Sequence, residues 1–293
     1  MSFADGFAAA RGEELAGFML AIQNLPAPTS GGARYSPERG SMMFAHGHGL
    51  APGEEPYAVY NALFGAVVER YLDDGIFEHI AHVPAGEPAV DEAWNSLGFG
   101  RRTAFAVRDT SPVAGASTGD VRQATPADLD AVYAIACSGS AYHATPPILN
   151  PYLEGQAEES VRADFRRALA DEDQAIFIGM VAGQPAGILW IQRPLGSPVL
   201  VPEESCYIGD TAVLAESRGV GTGAAMFEAA LNWARERGYR HAVLHFATAN
   251  PLSSAFWTGH GFQPVMYQLR HHVDERISWA RGPEWPKASP GRD

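Results

Sequence analysis

The residues best suited to chemistry lie together at 210–223, where a β-branched run ends in Arg218-Gly219-Val220-Gly221-Thr222-Gly223 and enters a helical pattern. A glycine-rich turn before a helix brings several backbone N–H groups to the positive end of the helix dipole, which makes a pyrophosphate cradle. Glycine lets the backbone turn tightly and approach an anion closely, and Arg218 adds a fixed charge with a forked donor set. P-loops and dinucleotide folds use the same physics. Here, however, no Gly-Lys-Ser/Thr follows, and glycines at alternate positions do not match the dinucleotide spacing. The second chemical stretch is Asn250-Pro251-Leu252-Ser253-Ser254-Ala255-Phe256-Trp257-Thr258-Gly259-His260-Gly261-Phe262, which begins as a Pro-led helix. Among titratable groups, Asp210 precedes the cradle on its strand, and His143 has a titration range suited to a base.

Arg218, Gly221 and Gly223 occupy the fixed positions of the pattern Arg/Gln-x-x-Gly-x-Gly/Ala, and the stretch from Asn250 resembles Asn-x-x-Ala-x-x-x-Tyr-x-x-x-Gly-Phe. Both resemble the GNAT superfamily of N-acetyltransferases. The resemblance implies acetyl-CoA as co-substrate, with its pyrophosphate on Arg218, Gly219, Val220, Gly221, Thr222 and Gly223. It also implies a pantetheine arm along the backbone of Ala212, Val213 and Leu214, with Asn250, Ser253 and Trp257 beside it. The implied reaction is transfer of the acetyl group to a primary amine of a small molecule by direct attack, without a metal. Asp210 is the leading expected base, with His143 on the acceptor side next to Tyr142. Trp257 stands where the family often has its acidic tyrosine, and an indole N–H is no usable acid. The leaving thiolate must then be protonated by solvent, Ser253, Ser254 or a nearby histidine. The alternative is a CoA-binding sensor or scaffold without turnover.

These groups need elements to hold them. The pattern predicts a hairpin from Gly6–Arg11 and Leu15–Ile22, a loop over Pro26–Arg39, a strand at Ser41–His48 and a helix at Tyr57–Leu72. A strand at Ile76–His82, a helix at Val90–Ser96 and a strand at Thr103–Arg108 follow, then a small, polar linker at 111–120. The rest reads as a strand at Val121–Ala124, a helix from Thr125 to about Cys137, a loop with Tyr142 and His143, and a helix at Glu158–Ala170. Strands at Ala175–Val181, Ala186–Gln192 and up to Val213 come next. The cradle helix, a strand at His241–Ala247, a helix at Pro251–His260 and a strand at Val265–His271 complete the second half. On the cradle helix, Val220, Ala224, Phe227, Leu231 and Ala234 form an expected buried stripe.

The two halves repeat one design. A single constant spacing separates Trp94 from Trp257, Gly98 from Gly261, Phe99 from Phe262, His82 from His245, Pro88 from Pro251 and Phe64 from Phe227. A slightly larger one pairs Phe7 with Phe177 and Ala16-Gly17 with Ala186-Gly187. The match fails where Glu55-Pro56-Tyr57-Ala58-Val59-Tyr60 stands in place of the cradle, without glycine and with Glu55 for Arg218. The expected fold is therefore α/β (α+β): two GNAT-like domains, each a mixed sheet flanked by helices. The first (1–110) is truncated and without a CoA cradle, the second (121–275) is the working copy, and 276–293 is a tail. Tandem proteins with one degenerate half, such as the mycothiol synthase family, are similar.

A net charge of −13, with Lys287 the only lysine, argues against non-specific nucleic-acid binding and suits a cationic acceptor. Cys137 and Cys206 make no disulfide framework, no leader opens the sequence, and no run approaches the ~18 apolar residues of a membrane helix. A cytoplasmic protein without a membrane partner is expected, either a monomer with an intramolecular pseudo-dimer or a homodimer. His46 and His48 have strand spacing that would place both rings on one face, but lack a third metal ligand.

Overall fold

The computed structural model describes residues 4–26, 36–72, 74–113, 119–150, 158–194 and 201–277. The expected loop at 26–39, linker and tail fall largely outside these. Two compact units emerge, and neither is a continuous stretch: the first takes described residues of 4–104 and 265–277, the second those of 105–264.

In the first unit, β1 (Ala4–Arg11) and β2 (Glu14–Asn24) form the expected hairpin, turning at Gly12 with φ +66°. The strand order continues β3 (Gly40–Met43), β5 (Glu78–Pro84), β12 (Gln263–His272), and β4 (His48–Leu50) pairs with β2. The predicted single strand at Ser41–His48 is thus two strands with a turn between. The turn takes His46 out of strand geometry, so the expected one-faced His46–His48 pair does not form. His48 is buried instead, with Nδ1 3.1 Å from the Tyr60 hydroxyl and Nε2 donating to the His82 carbonyl at 3.0 Å. Helix α1 (Pro56–Leu72) buries Tyr60, Phe64, Val67 and Tyr71, the residues its spacing selects, and packs them with α2 (Pro88–Ser96) around the fully buried Trp94.

The second unit contains residues 105–109 of β6 (Gly100–Asp109), then β11 (His241–Ala247), β10 (Ser205–Val213), β9 (Gln184–Gln192), β8 (Ala175–Val181) and β7 (Asp120–Gln123) in spatial order. Helices α3 (Leu129–His143) and α4 (Glu158–Ala170) cover Ile176, Ile178, Ile188 and Trp190. Helices α5 (Thr222–Glu236) and α6 (Pro251–Gly259) complete the unit. Among its described residues the first unit has no counterpart of α3 and α4. Phe18 and Leu20, in the repeat positions of Ile188 and Trp190, are 38% and 43% exposed.

The repeat is carried through the elements: β5, α2 and β6 have the same bounds as β11, α6 and β12 once the constant spacing is applied. The copies differ at the cradle. Pro56, in the place of Gly219, starts α1 early, and the carboxylate of Glu55, in the place of Arg218, accepts from the N–H groups of Tyr57 (3.1 Å) and Ala58 (2.8 Å). The helix end that would face pyrophosphate is filled by the chain's own anion.

No helix among the described residues is long and apolar enough to cross a membrane.

Candidate active site

The site begins at a fork. Strands β10 and β11 pair in parallel from Ser205↔His241 to Ile208↔Leu244, and the ladder ends there although both strands continue. On its other edge β10 remains paired with β9, through an irregular register between Ile208 and Thr211. Such a bulge bends the strand and locally twists it, here away from β11. Leu214 donates its N–H to the Ala186 carbonyl at 2.8 Å, so by antiparallel alternation the backbone groups of Ala212 face β9 and those of Thr211 and Val213 face the fork.

The cradle closes the open end. Gly219 and Gly221 have φ of +81° and +88°, backbone that glycine adopts without the strain a β-carbon brings. Gly221 is the N-cap of α5, and the first intrahelical bond runs from Ala225 N to Gly221 O at 3.0 Å. The N–H groups of Thr222, Gly223 and Ala224 therefore precede the helical ladder, and all three residues line a cleft of about 390 Å³. Arg218 donates from Nε to the Val213 carbonyl at 3.1 Å, and its guanidinium lies 5.1 Å from the centre of the Tyr142 ring.

Helix α3 brings Tyr142 and His143 to the cleft. It runs six residues beyond the expected end at Cys137, through Ser138-Gly139-Ser140. A β-carbon on Gly139 would lie 3.1 Å from that of Ala212, so this glycine is a close-packing residue, letting the helix approach β10. His143 thus ends a helix instead of standing in a loop.

Asn250 is buried at the N-cap of α6, where Oδ1 accepts from the N–H groups of Leu252 (3.1 Å) and Ser253 (3.2 Å). That leaves Nδ2 as the end that donates to His143 Nε2 at 3.2 Å. The bond requires an unprotonated Nε2, and burial also lowers the His143 pKa, so the ring is neutral with its proton on Nδ1. The lone pair a base would use is occupied by Asn250.

Of the expected site residues, Ala212, Val213, Arg218, Gly219, Gly221, Thr222, Gly223, Asn250, Ser253, Trp257 and His143 line this one cleft. Asp210, Leu214 and Val220 are not among its lining residues. Asp210 sits half-buried at the irregular register of β10, and Val220 is 64% exposed. The expected stripe therefore fails at its first member, because α5 begins two residues later, at Thr222, and at its second, because Ala224 is half-buried and lines the cleft; Phe227, Leu231 and Ala234 are buried as expected. Ser253 directs a solvent-shielded Oγ into the wall with no hydrogen-bond partner among the described residues. Trp257 is 5% exposed and packs on Phe227, Phe256 and Phe262 at centroid distances of 5.6, 4.8 and 5.4 Å.

The sequence reading missed Ser217, a buried lining residue, and the pair Tyr207–His245, whose hydroxyl and Nδ1 are hydrogen-bonded where the fork begins. The repeat marked His245 through His82, but nothing local joined it to Tyr207. The described residues hold no group of three or more His, Cys, Asp or Glu arranged for a metal.

A cradle, a forked pair of strands and a capped helix in one cleft are paralleled in sequence, where the acetyltransferase (GNAT) family matches residues 142–262. This segment is a GNAT acetyltransferase domain. The GNAT match ends at Phe262 and covers both chemical stretches read from the sequence. A GCN5-related N-acetyltransferase from Sphaerobacter thermophilus is similar in fold, at 14% identity over 89% of this chain and 78% of that one, with a TM-score of 0.58. A tandem GNAT protein from the clavulanic acid biosynthesis pathway matches at 16% identity over 94% and 83%, with a TM-score of 0.51. A GNAT-family acetyltransferase from Colwellia psychrerythraea matches at 12% over 92% and 86%, with a TM-score of 0.52. At these identities the likeness is one of fold, and it covers most of the chain. No curated protein matches the sequence.

Proposed function

We propose that the second unit binds one acetyl-CoA and transfers its acetyl group to a primary amine of a small molecule by direct attack. The observation that carries this reading is the meeting, in one cleft, of the N–H groups at the start of α5 with the fork-facing backbone of Thr211 and Val213. Pyrophosphate fits the helix end, where dipole and donors act on the same anion, and Arg218 stands beside it. The arm then lies along β10 as an added strand would, taking up backbone groups that β11 leaves at the fork. Ser253 Oγ, without a hydrogen-bond partner among the described residues, is suited to donate a hydrogen bond to the sulfur as the thioester breaks. Glu55 and Pro56 make the first unit a poor second donor site, and the protein's acidic charge favours a cationic acceptor.

Calorimetry with CoA tests the site. One CoA per chain is expected, with Arg218→Glu and Gly221→Val each weakening binding by roughly 10- to 100-fold, the scale of lost charge-assisted hydrogen bonds. Two equivalent sites, or unchanged affinity in both variants, would contradict the proposal. The packing of Trp257 in the usual acid position favours the second reading, a CoA sensor. Steady thiol release with any amine removes that reading.

A further inference from the structure

The fork carries a pair of residues that the cradle chemistry does not use. Tyr207 lies one residue before the end of the β10–β11 ladder, and His245 is the first residue of β11 beyond it. Their rings stack at 6.0 Å with 25° between planes, the hydroxyl meets Nδ1, and Phe105 of β6 packs on the histidine at 5.6 Å.

The degenerate copy provides an internal comparison. Phe44 and His82 hold the repeat positions of Tyr207 and His245 and also stack, at 5.6 Å and 5°. Where the helix end is filled by Glu55, the aromatic partner lacks a hydroxyl; where the cradle is intact, it has one. Both copies keep the ring contact, so packing alone does not account for the hydroxyl of Tyr207.

Position supplies the remaining argument. An arm anchored at the cradle and running back along β10 from Val213 to Gly209 covers four residues, about 13 Å at strand rise, and ends at the first residue of β10 beyond the β10–β11 ladder, the level that His245 holds on β11. Resting on the acetyl-transfer reading above, we propose that His245 accepts the proton of the attacking amine and that Tyr207 is the positioning residue for its ring. The amine lone pair forms the N–C bond to the thioester carbonyl, and the C–S bond breaks with its electron pair leaving on sulfur. The ammonium proton passes to His245 Nε2, while Nδ1–H donates to the Tyr207 oxygen, and the thiolate takes a proton from solvent. The imidazolium then releases its proton to water. Although His245 keeps exposed surface, desolvation by the groups around it lowers its pKa, which leaves the ring in the neutral form that accepts a proton.

The test measures thiol release from acetyl-CoA with tyramine, spermidine and glucosamine as probe amines, alongside calorimetric binding of acetyl-CoA. His245→Gln is expected to lower kcat about 100-fold, a typical general-base contribution, with acetyl-CoA affinity and KM unchanged. His245→Gly should regain rate on adding imidazole, and Tyr207→Phe should lose several-fold in kcat at constant KM. Wild-type kcat in His245→Gln, a loss matched by lost acetyl-CoA binding, or a loss that imidazole does not restore overturns the proposal. A wild-type protein that binds acetyl-CoA but acetylates no probe also overturns it, leaving the CoA site standing. Absence of acetyl-CoA binding removes the site reading and this one together.

Discussion

Asn250 and His143 show how one side chain can set the protonation of another. Both atoms of the Asn250 amide are assigned by what they meet: Oδ1 accepts from the start of α6, so Nδ2 must donate to the imidazole. Asn250→Asp keeps the cap, since a carboxylate suits a helix N-terminus, but puts an acceptor where His143 Nε2 needs a donor. The carboxylate also favours the charged ring, so the His143 pKa should rise from its lowered position. An NMR titration of the ring checks this, and an unmoved midpoint would mean that Asn250 does not hold the tautomer. Asn250 was legible as a helix start because a side-chain cap followed by proline is a local signal. Its bond to His143 was not, because it joins residues far apart in sequence.

At the scale of elements, the cleft depends on glycines that permit close approach. A β-carbon on Gly179 of β8 would fall well inside van der Waals contact distance of Thr222 Cγ2, at the first turn of α5, and 3.1 Å from Met226 Sδ. Gly179→Ala must therefore displace the start of α5, whose N–H groups form the cradle. We expect a loss of about 1–3 kcal/mol in stability from overpacking, with CoA affinity about tenfold weaker. Thermal unfolding and calorimetry measure the two effects, and unchanged affinity in a destabilised variant would show that the cradle does not depend on this packing. Element ends were readable where proline and a cap set the backbone, as at Pro251 and Asn250. They were not where a tertiary contact decided, as at Gly139, or where a turn split a run of apolar residues, as between β3 and β4. The start of α5 was misread for a related reason: a periodic stripe continues through Val220, but Gly221 takes the left-handed cap conformation and starts the helix after it.

The repeat in the sequence counts two copies of one design, but identical spacing in both copies leaves open which sheet each copy's last strand joins. In the structure β12 pairs antiparallel with β5, from Met266↔Pro84 to His272↔Glu78, and Leu269 is buried in the core of the first unit. Arg270 Nε donates to the Glu78 carboxylate at 2.6 Å within the same ladder. Residues 105–109 of β6, from the first copy, belong to the second unit. Separating the copies at 111–120 would therefore leave each half holding a strand that the other unit needs. Chain 1–110 alone would present β5 without its β12 partner, and loss of a central strand removes both ladder bonds and buried apolar area. We expect 1–110 to show no cooperative melt, and 121–293 to bind CoA weakly or not at all. Co-expression of the two fragments should restore a single purifiable complex with near-native CoA affinity. Circular dichroism melts and calorimetry on the three preparations decide the matter, and a cooperative transition in 1–110 alone would mean that the strand exchange is dispensable to the first unit.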